Sequence, residues 1–337
     1  MRKPHALSLW SLIYILIVWV SSYATPLLAH TEEECLTAEP APGEECPPVE
    51  TDTLDAPGID IVFKSNTGYI DSAFVLNQLR VRYDWNFDAD RPDRAEFIYA
   101  KCTPCNPGGI SPGPAEDLDY QEFELTFEHA FSSRFSLFTE IPVRSIDLTI
   151  PSGSPIGNFS SSGIGDVRVG LKYATLVRPD RYLTLQVRGY FPSGDAEQAL
   201  GTDHYSIEPA LLYYKKLKGR WSMESELRWW HPIGGTDFAG DVLRFGIGAS
   251  HEGRGSNVSF SPVAELVGWY VLDGFKTAPP RQDASGDTIV NLKLGARIRA
   301  SGLPGSLYLG YGVALTNDIW YDSVFRVEYR HAFGRGS

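Results

Sequence analysis

Leu79-Arg80-Val81-Arg82-Tyr83-Asp84-Trp85-Asn86-Phe87 alternates apolar and polar residues without a break. Side chains two apart share one face of a β-strand, so this stretch predicts a strand with an apolar face (Leu79, Val81, Tyr83, Trp85, Phe87) and a polar one. A helix of period 3.6 cannot sort these residues that way. The pattern then recurs to Phe333. Apolar faces fall at Phe123, Leu125 and Phe127, at Phe135 and Leu137, and at Val167, Val169, Leu171 and Tyr173. They continue at Leu183, Leu185 and Val187, at Tyr205, Ile207 and Leu211, at Trp221, Met223, Leu227 and Trp229, and at Leu243, Phe245 and Ile247. Less regular strands are predicted near Val258 to Val267, Val290 to Ile298 and Leu307 to Leu315, with a last one from Val324 to Phe333. The total is about twelve, and an even count is what a closed bacterial barrel requires.

The connections alternate in length. Ser132-Ser133, Arg178 to Asp180, Lys216 to Gly219, Gly253 to Ser256 and Ser301 to Gly305 are short; Asp88 to Asp119, Thr149 to Ser162, Ser193 to Asp203, Gly234 to Gly240 and Leu272 to Asp287 are mostly long. Short turns at one end and long loops at the other are the layout of an outer-membrane barrel, with both termini on the short-turn, periplasmic side. Beyond the N-terminus, no apolar run approaches the ~18 residues of a membrane helix, so any spanning is done by strands. Alternation alone also fits a soluble sandwich, which buries its apolar face. Aromatic residues tilt the reading towards membrane: Trp85 and Phe87, Trp229 and Trp230, Trp269 and Tyr270, and Trp320 and Tyr321 lie beside the long loops, and Tyr182, Tyr213, Tyr214 and Trp221 near the short turns. Two such girdles suit the two membrane interfaces.

The N-terminus carries Arg2 and Lys3, an apolar stretch from Leu7 to Val20 and then small residues, the layout of a secretory signal peptide. Cleavage after Ala24 follows the small-x-small rule with Ser22; cleavage after Ala29 puts Leu27 at that place. From His30 to Phe63 there are ten acidic residues and no Lys or Arg. Such a stretch is expected to be largely disordered. The net charge of −12 is mostly this segment's, which leaves the body close to balance and gives no support to nucleic-acid binding. Residues 1–24 are thus read as signal peptide, 25–73 as an acidic periplasmic segment, 74–333 as an all-β, antiparallel transmembrane barrel of a Gram-negative outer membrane, and 334–337 as a tail. Cys35, Cys46, Cys102 and Cys105 form two local pairs in an exported chain, which predicts disulfides.

Two segments carry a family likeness. Gly163-Ile-Gly-Asp-Val-Arg-Val-Gly-Leu-Lys-Tyr173, followed by Phe191-Pro-Ser-Gly-Asp195, Gly201-Thr202 and Glu208-Pro209, resembles the outer-membrane transporters grouped as the phenol-degradation meta-pathway family; Trp230 to Gly235 and Ser261 to Glu265 are also similar. The likeness runs from about Phe74 to Phe333. It implies a pore or uptake barrel for small molecules, aromatic or apolar ones among them. The glycines have a plainer explanation, since Gly163, Gly165 and Gly170 would also permit twist and bending in a barrel wall. The last strand resembles the terminal strand read by the barrel assembly machinery, although Gly334 to Ser337 follow its closing aromatic. The implied partners are outer-membrane lipid and lipopolysaccharide, that machinery and a small-molecule solute.

The predicted polar face offers lumen-facing charges of both signs: Arg80, Arg82, Arg168, Arg188, Arg228, Arg244, Arg297 and Arg326, with Asp84, Glu122, Glu124, Asp166, Glu208, Glu224, Glu226, Glu265 and Glu328. Inside a narrow barrel they must be paired or hydrated. They form either a water-filled eyelet that selects solutes or an ion-paired plug. No cofactor, metal site or enzyme is predicted. Gly109-Ile-Ser-Pro-Gly113 matches a hydrolase string but lacks the strand-to-helix elbow that the chemistry needs. Cys102-Thr-Pro-Cys105 has redox spacing without a redox fold around it. His204 and Ser206 stand two apart on one strand face and resemble the His-x-Ser pair of outer-membrane phospholipases; they keep lipid hydrolysis as the alternative function. His129, His231, His251 and His331 lack metal-ligand spacing.

Overall fold

A computed structural model describes residues 65–89, 117–149, 159–235, 239–255, 257–276 and 282–333. The expected signal peptide, acidic residues 25–64, the four cysteines, the Gly109–Gly113 string and the tail lie outside the described residues.

Twelve antiparallel strands form the wall: β1 (Gln78–Ala89), β2 (Asp117–Ala130), β3 (Phe135–Thr149), β4 (Val167–Val177), β5 (Arg181–Phe191) and β6 (Tyr205–Lys216), then β7 (Trp221–Ile233), β8 (Val242–His251), β9 (Val258–Val271), β10 (Thr288–Ala300), β11 (Ser306–Ala314) and β12 (Ser323–Ala332). Each pairs with its neighbours in the chain, and β1 pairs with β12 from Gln78↔Ala332 to Phe87↔Ser323, which closes the sheet. Closure gives each of the twelve strands a partner on both sides, the condition for a sheet in hydrocarbon. One wall position is split. Phe159–Ile164 pairs with the outer half of β3 and β4 with its inner half, and Gly165 bridges them by donating its N–H to the Pro142 carbonyl at 2.9 Å.

The exposure pattern is inverted relative to a soluble protein. Phe127, Leu185, Phe260 and Leu294 are about half exposed, whereas Glu124, Glu265, Arg297 and Glu328 have essentially no accessible surface. A sandwich in water would show the reverse. The apolar face therefore points outwards to lipid and the charged face inwards, as in outer-membrane barrels.

One expectation fails here. Residues 65–73 do not belong to a disordered periplasmic stretch; the run 65–77 lies inside the barrel and leads into β1. Both of its ends sit near the short turns. Asn66 is held by Ser250 and Arg299, near the β8–β9 turn, and Asn77 accepts from Ala130 and Phe333 at the β2 and β12 ends. Its apex, Tyr69 to Asp71, stands part-way up the lumen. The physical reason is complementarity. A polar, irregular chain has N–H and C=O groups with no partner of their own, and the inward carboxylates and guanidiniums supply them. Glu265 accepts from the N–H groups of Gly68, Tyr69 and Ile70, and Glu224 from Asn66 N–H and the Ser65 hydroxyl. Arg297 donates to the carbonyls of Asn66 and Thr67, Arg326 to Gly68 and Arg244 to Tyr69. Phe74 adds an apolar anchor against Tyr182 and Tyr214, with ring centroids 5.0 and 4.7 Å away.

Candidate functional site: an outer vestibule above a lumen strap

Strand period delivers the predicted charges to one interior. Arg80, Asp84, Glu122, Glu124, Arg188, Glu208, Glu224, Glu226, Arg228, Glu265, Arg297 and Glu328 are buried there; Arg82, Arg168, Arg244 and Arg326 are partly covered. They form three groups. In the first, Glu122 and Glu124 share Arg82 (3.0 and 2.8 Å), Arg144 reaches Glu122 at 2.6 Å and Arg168 reaches Glu124 at 2.6 Å. In the second, Asp71 on the strap accepts from Arg80, Arg188 and Arg228 at 3.2, 2.6 and 2.5 Å, while Glu140, Glu208 and Glu226 balance the same guanidiniums. The third joins Arg297 and Arg330 to Glu328 at 2.7 and 2.9 Å. Arg326 clasps Asp84 through both of its terminal oxygens, and Arg244 meets Glu226 at 2.9 Å.

Asp166 is also buried, and the hydrogen bonds it accepts come from a loop, from two backbone N–H groups and one hydroxyl. It accepts from Gly194 N–H, Thr202 N–H and the Thr202 hydroxyl at 3.1, 2.9 and 2.8 Å, so it pins the 192–204 loop against the rim of the wall. Glu128, Glu140, Lys293 and Arg330 also point inwards and were not singled out from sequence. Glu128, Lys293 and Arg330 each lie an even number of residues from a predicted charge on the same strand, so the same period could have found them, whereas Glu140 is on β3, where no charge was predicted. Asp71 had no such signal.

The girdle reading needs correction. Trp85, Trp221 and Trp229 do face outwards, but Tyr182, Tyr214, Trp230 and Tyr321 are buried inside, and Trp269 and Trp320 line the interior as well. Adjacent residues on a strand face opposite ways, so Trp229 and Trp230 cannot both meet lipid.

Above the strap apex, on the long-loop side, the lumen opens into a cavity of about 230 Å³. Its floor is Tyr69 and Asp71. Its wall mixes the ion pairs of β1–β5 with an aromatic sector built from Trp230, Trp269, Trp320 and Tyr321. Trp269 and Trp320 stack with centroids 5.8 Å apart. Below the apex the strap occupies the short-turn half of the lumen. An amphipathic vessel that ends on a non-covalent strap can hold a small molecule with a ring and a polar group.

Residues 115–230 match the family model described as "Putative MetA-pathway of phenol degradation". The match covers 116 of the chain's 337 residues and is a resemblance of that part to the family. No match to the chain was found among curated proteins. Among solved structures, an outer-membrane channel from Pseudomonas putida F1 is similar over 79% of this chain and 99% of its own, with a TM-score of 0.50 and 14% identity. The Pseudomonas putida toluene transporter TodX matches over 76% of this chain and 88% of its own (TM-score 0.38, 9% identity), and the KdgM porin in complex with disordered oligogalacturonate over 76% and 99% (TM-score 0.40, 12% identity). At 14% identity the likeness to the Pseudomonas putida F1 channel concerns the fold, an outer-membrane-type β-barrel.

Proposed function

We propose that the protein is a passive channel or uptake barrel of the outer membrane for small molecules, aromatic or apolar ones among them. The observation that carries this is the vestibule: an aromatic and charged cavity on the long-loop side, closed below by a strap held through hydrogen bonds, ion pairs and one aromatic anchor. A solute admitted from outside would wait above Asp71 until the strap yields. The family description, which refers to phenol degradation, supports an aromatic cargo. In this reading the wall meets outer-membrane lipid and lipopolysaccharide, β12 with Phe333 is what the assembly machinery reads, and the charges on the inner face set the field a solute meets. Planar-bilayer conductance with a panel of small solutes tests the proposal. Solute-dependent current through the purified barrel is expected, and a barrel that carries none at any voltage overturns it.

The hydrolase alternative has one contact in its favour, since Ser206 Oγ lies 3.2 Å from His204 Nδ1. The same Nδ1 lies 3.1 Å from the Tyr205 carbonyl, which can only accept. A proton on Nδ1 satisfies that carbonyl and makes the nitrogen a donor, so it cannot take the proton of Ser206 as a general base would. Both side chains also point into the lumen, away from the lipid.

A further inference from the structure

Lys293, on β10, has only 2% of its surface accessible and lines the vestibule. An ammonium in such a place normally has a carboxylate beside it. The other cations of this sector do: Arg326 holds Asp84 and Arg244 holds Glu226. Lys293 pairs with no carboxylate among the described residues. Its one hydrogen bond goes to the Tyr321 hydroxyl, and its charge lies over the ring of Tyr69 at 3.9 Å and near those of Tyr321 and Trp269 at 5.0 and 6.0 Å. An ammonium has three N–H donors, and among the described residues only the Tyr321 hydroxyl accepts one. Beside it, the Tyr69 hydroxyl is buried and has no hydrogen-bond partner. The sector thus carries an ammonium whose cross-strand carboxylate, Glu265, is turned to the strap backbone, a spare hydroxyl donor and flat apolar walls.

We propose that this sector is a binding site for the carboxylate of a small aromatic acid, with Lys293 and the Tyr69 hydroxyl taking the carboxylate and the Trp269–Trp320 stack flanking the ring. The proposal refines the uptake reading and rests on it for the direction of travel. A bound carboxylate can reach the Lys293 ammonium and the Tyr69 hydroxyl together, and charge-assisted hydrogen bonds of this kind are about twice as strong as neutral ones. A neutral ring of the same size finds the walls but leaves Lys293 unmatched. Since Tyr69 belongs to the strap, an occupant of this site touches both the wall and the element that closes the lumen.

Benzoate is the probe, with benzyl alcohol as its neutral counterpart and acetate as the anion without a ring. Titrated into the detergent-purified full chain and followed by tryptophan fluorescence, benzoate is expected to saturate and to bind at least about tenfold more tightly than either control. Lys293→Gln should weaken benzoate about tenfold and leave benzyl alcohol unchanged, Lys293→Arg should restore part of the loss, and Tyr69→Phe should weaken benzoate by a smaller factor. Tyr69 is not part of the wall, so its replacement tests the site even if the Lys293 variants do not fold. Equal binding of benzoate and benzyl alcohol, equal binding of benzoate and acetate, or Tyr69→Phe and folded Lys293→Gln proteins that bind benzoate like the parent would each overturn the proposal. Bilayer conductance separates the two readings: normal solute current with no benzoate saturation sinks the site alone, whereas saturation in a barrel that carries no current leaves the site and removes the uptake function.

Discussion

Asp71 ties the strap to three strands of the wall. It is the one carboxylate of the described strap, and three guanidiniums converge on it from β1, β5 and β7. Removing one member of a buried ionic group leaves the others uncompensated, at a cost of about 3–5 kcal/mol. The other carboxylates around Arg80, Arg188 and Arg228 sit on the wall and remain, so the loss falls on the docking of the strap and not on the barrel. Asp71→Asn is therefore expected to keep the folded barrel but release the strap, seen as higher or more frequent openings in bilayer recordings; an unchanged conductance trace would show that the strap does not limit passage. His204 and Ser206 supply the contrasting case. With Nδ1 beside the Tyr205 carbonyl, His204→Ala and Ser206→Ala are expected to leave solute flux broadly intact and to abolish no phospholipid hydrolysis, because the parent is expected to have none. A lipase assay on the purified parent decides this: hydrolysis that disappears in Ser206→Ala would establish the hydrolase reading instead.

Strands are where the sequence was most legible, and the reason is geometric. A period of two is fixed by the backbone, so Leu79 to Phe87 and each later run declared both faces at once, and the inward charges followed by parity. Misreading arose where neighbouring residues were of one kind. Trp229-Trp230 and Trp320-Tyr321 look like paired girdle residues, yet parity sends Trp230 inwards, and Tyr321 lies just before β12 and turns into the lumen. Close packing of the inner face adds a constraint no pattern displays. Phe138 on β3 lies across Gly170 on β4, and a Cβ added at Gly170 would fall 2.2 Å from the Phe138 ring. Here glycine provides room for a neighbouring ring, a role distinct from the twist and bending expected of it from sequence. Gly170→Val should therefore force Phe138 out of place, with an overpacking cost of about 1–3 kcal/mol. The measurement is the temperature at which the folded band disappears in unheated-versus-heated gels; a variant as heat-resistant as the parent would mean that the ring relocates freely.

At the scale of the whole molecule, two kinds of chain share one interior, and only one of them has a period. The wall could be read because alternation runs through every strand, whereas Ser65 to Asn77 repeats nothing and follows an acidic stretch, so nothing local distinguishes a strap inside a barrel from a disordered linker outside it. Its place is set by long-range partners such as Glu224, Glu265 and Arg297, more than 150 residues away in the chain. The same division implies that the two faces of the wall answer differently to charge. On the inner face an arginine joins a network of carboxylates, as Arg228 does with Glu208 and Glu226. On the outer face it meets hydrocarbon, where near the bilayer midplane an arginine costs about 2–4 kcal/mol. Leu185 lies midway along β5 and is exposed on the outside, next to the buried inward Gln186. The parent is expected to fractionate with outer membranes and to run faster on gels when unheated. Leu185→Arg should reduce the folded band or lower the temperature at which it is lost, while Gln186→Arg, facing the carboxylate-rich lumen, should change it less. If Gln186→Arg were the more damaging of the two, or if the parent were recovered as soluble periplasmic protein, the assignment of lipid to the apolar face would be wrong.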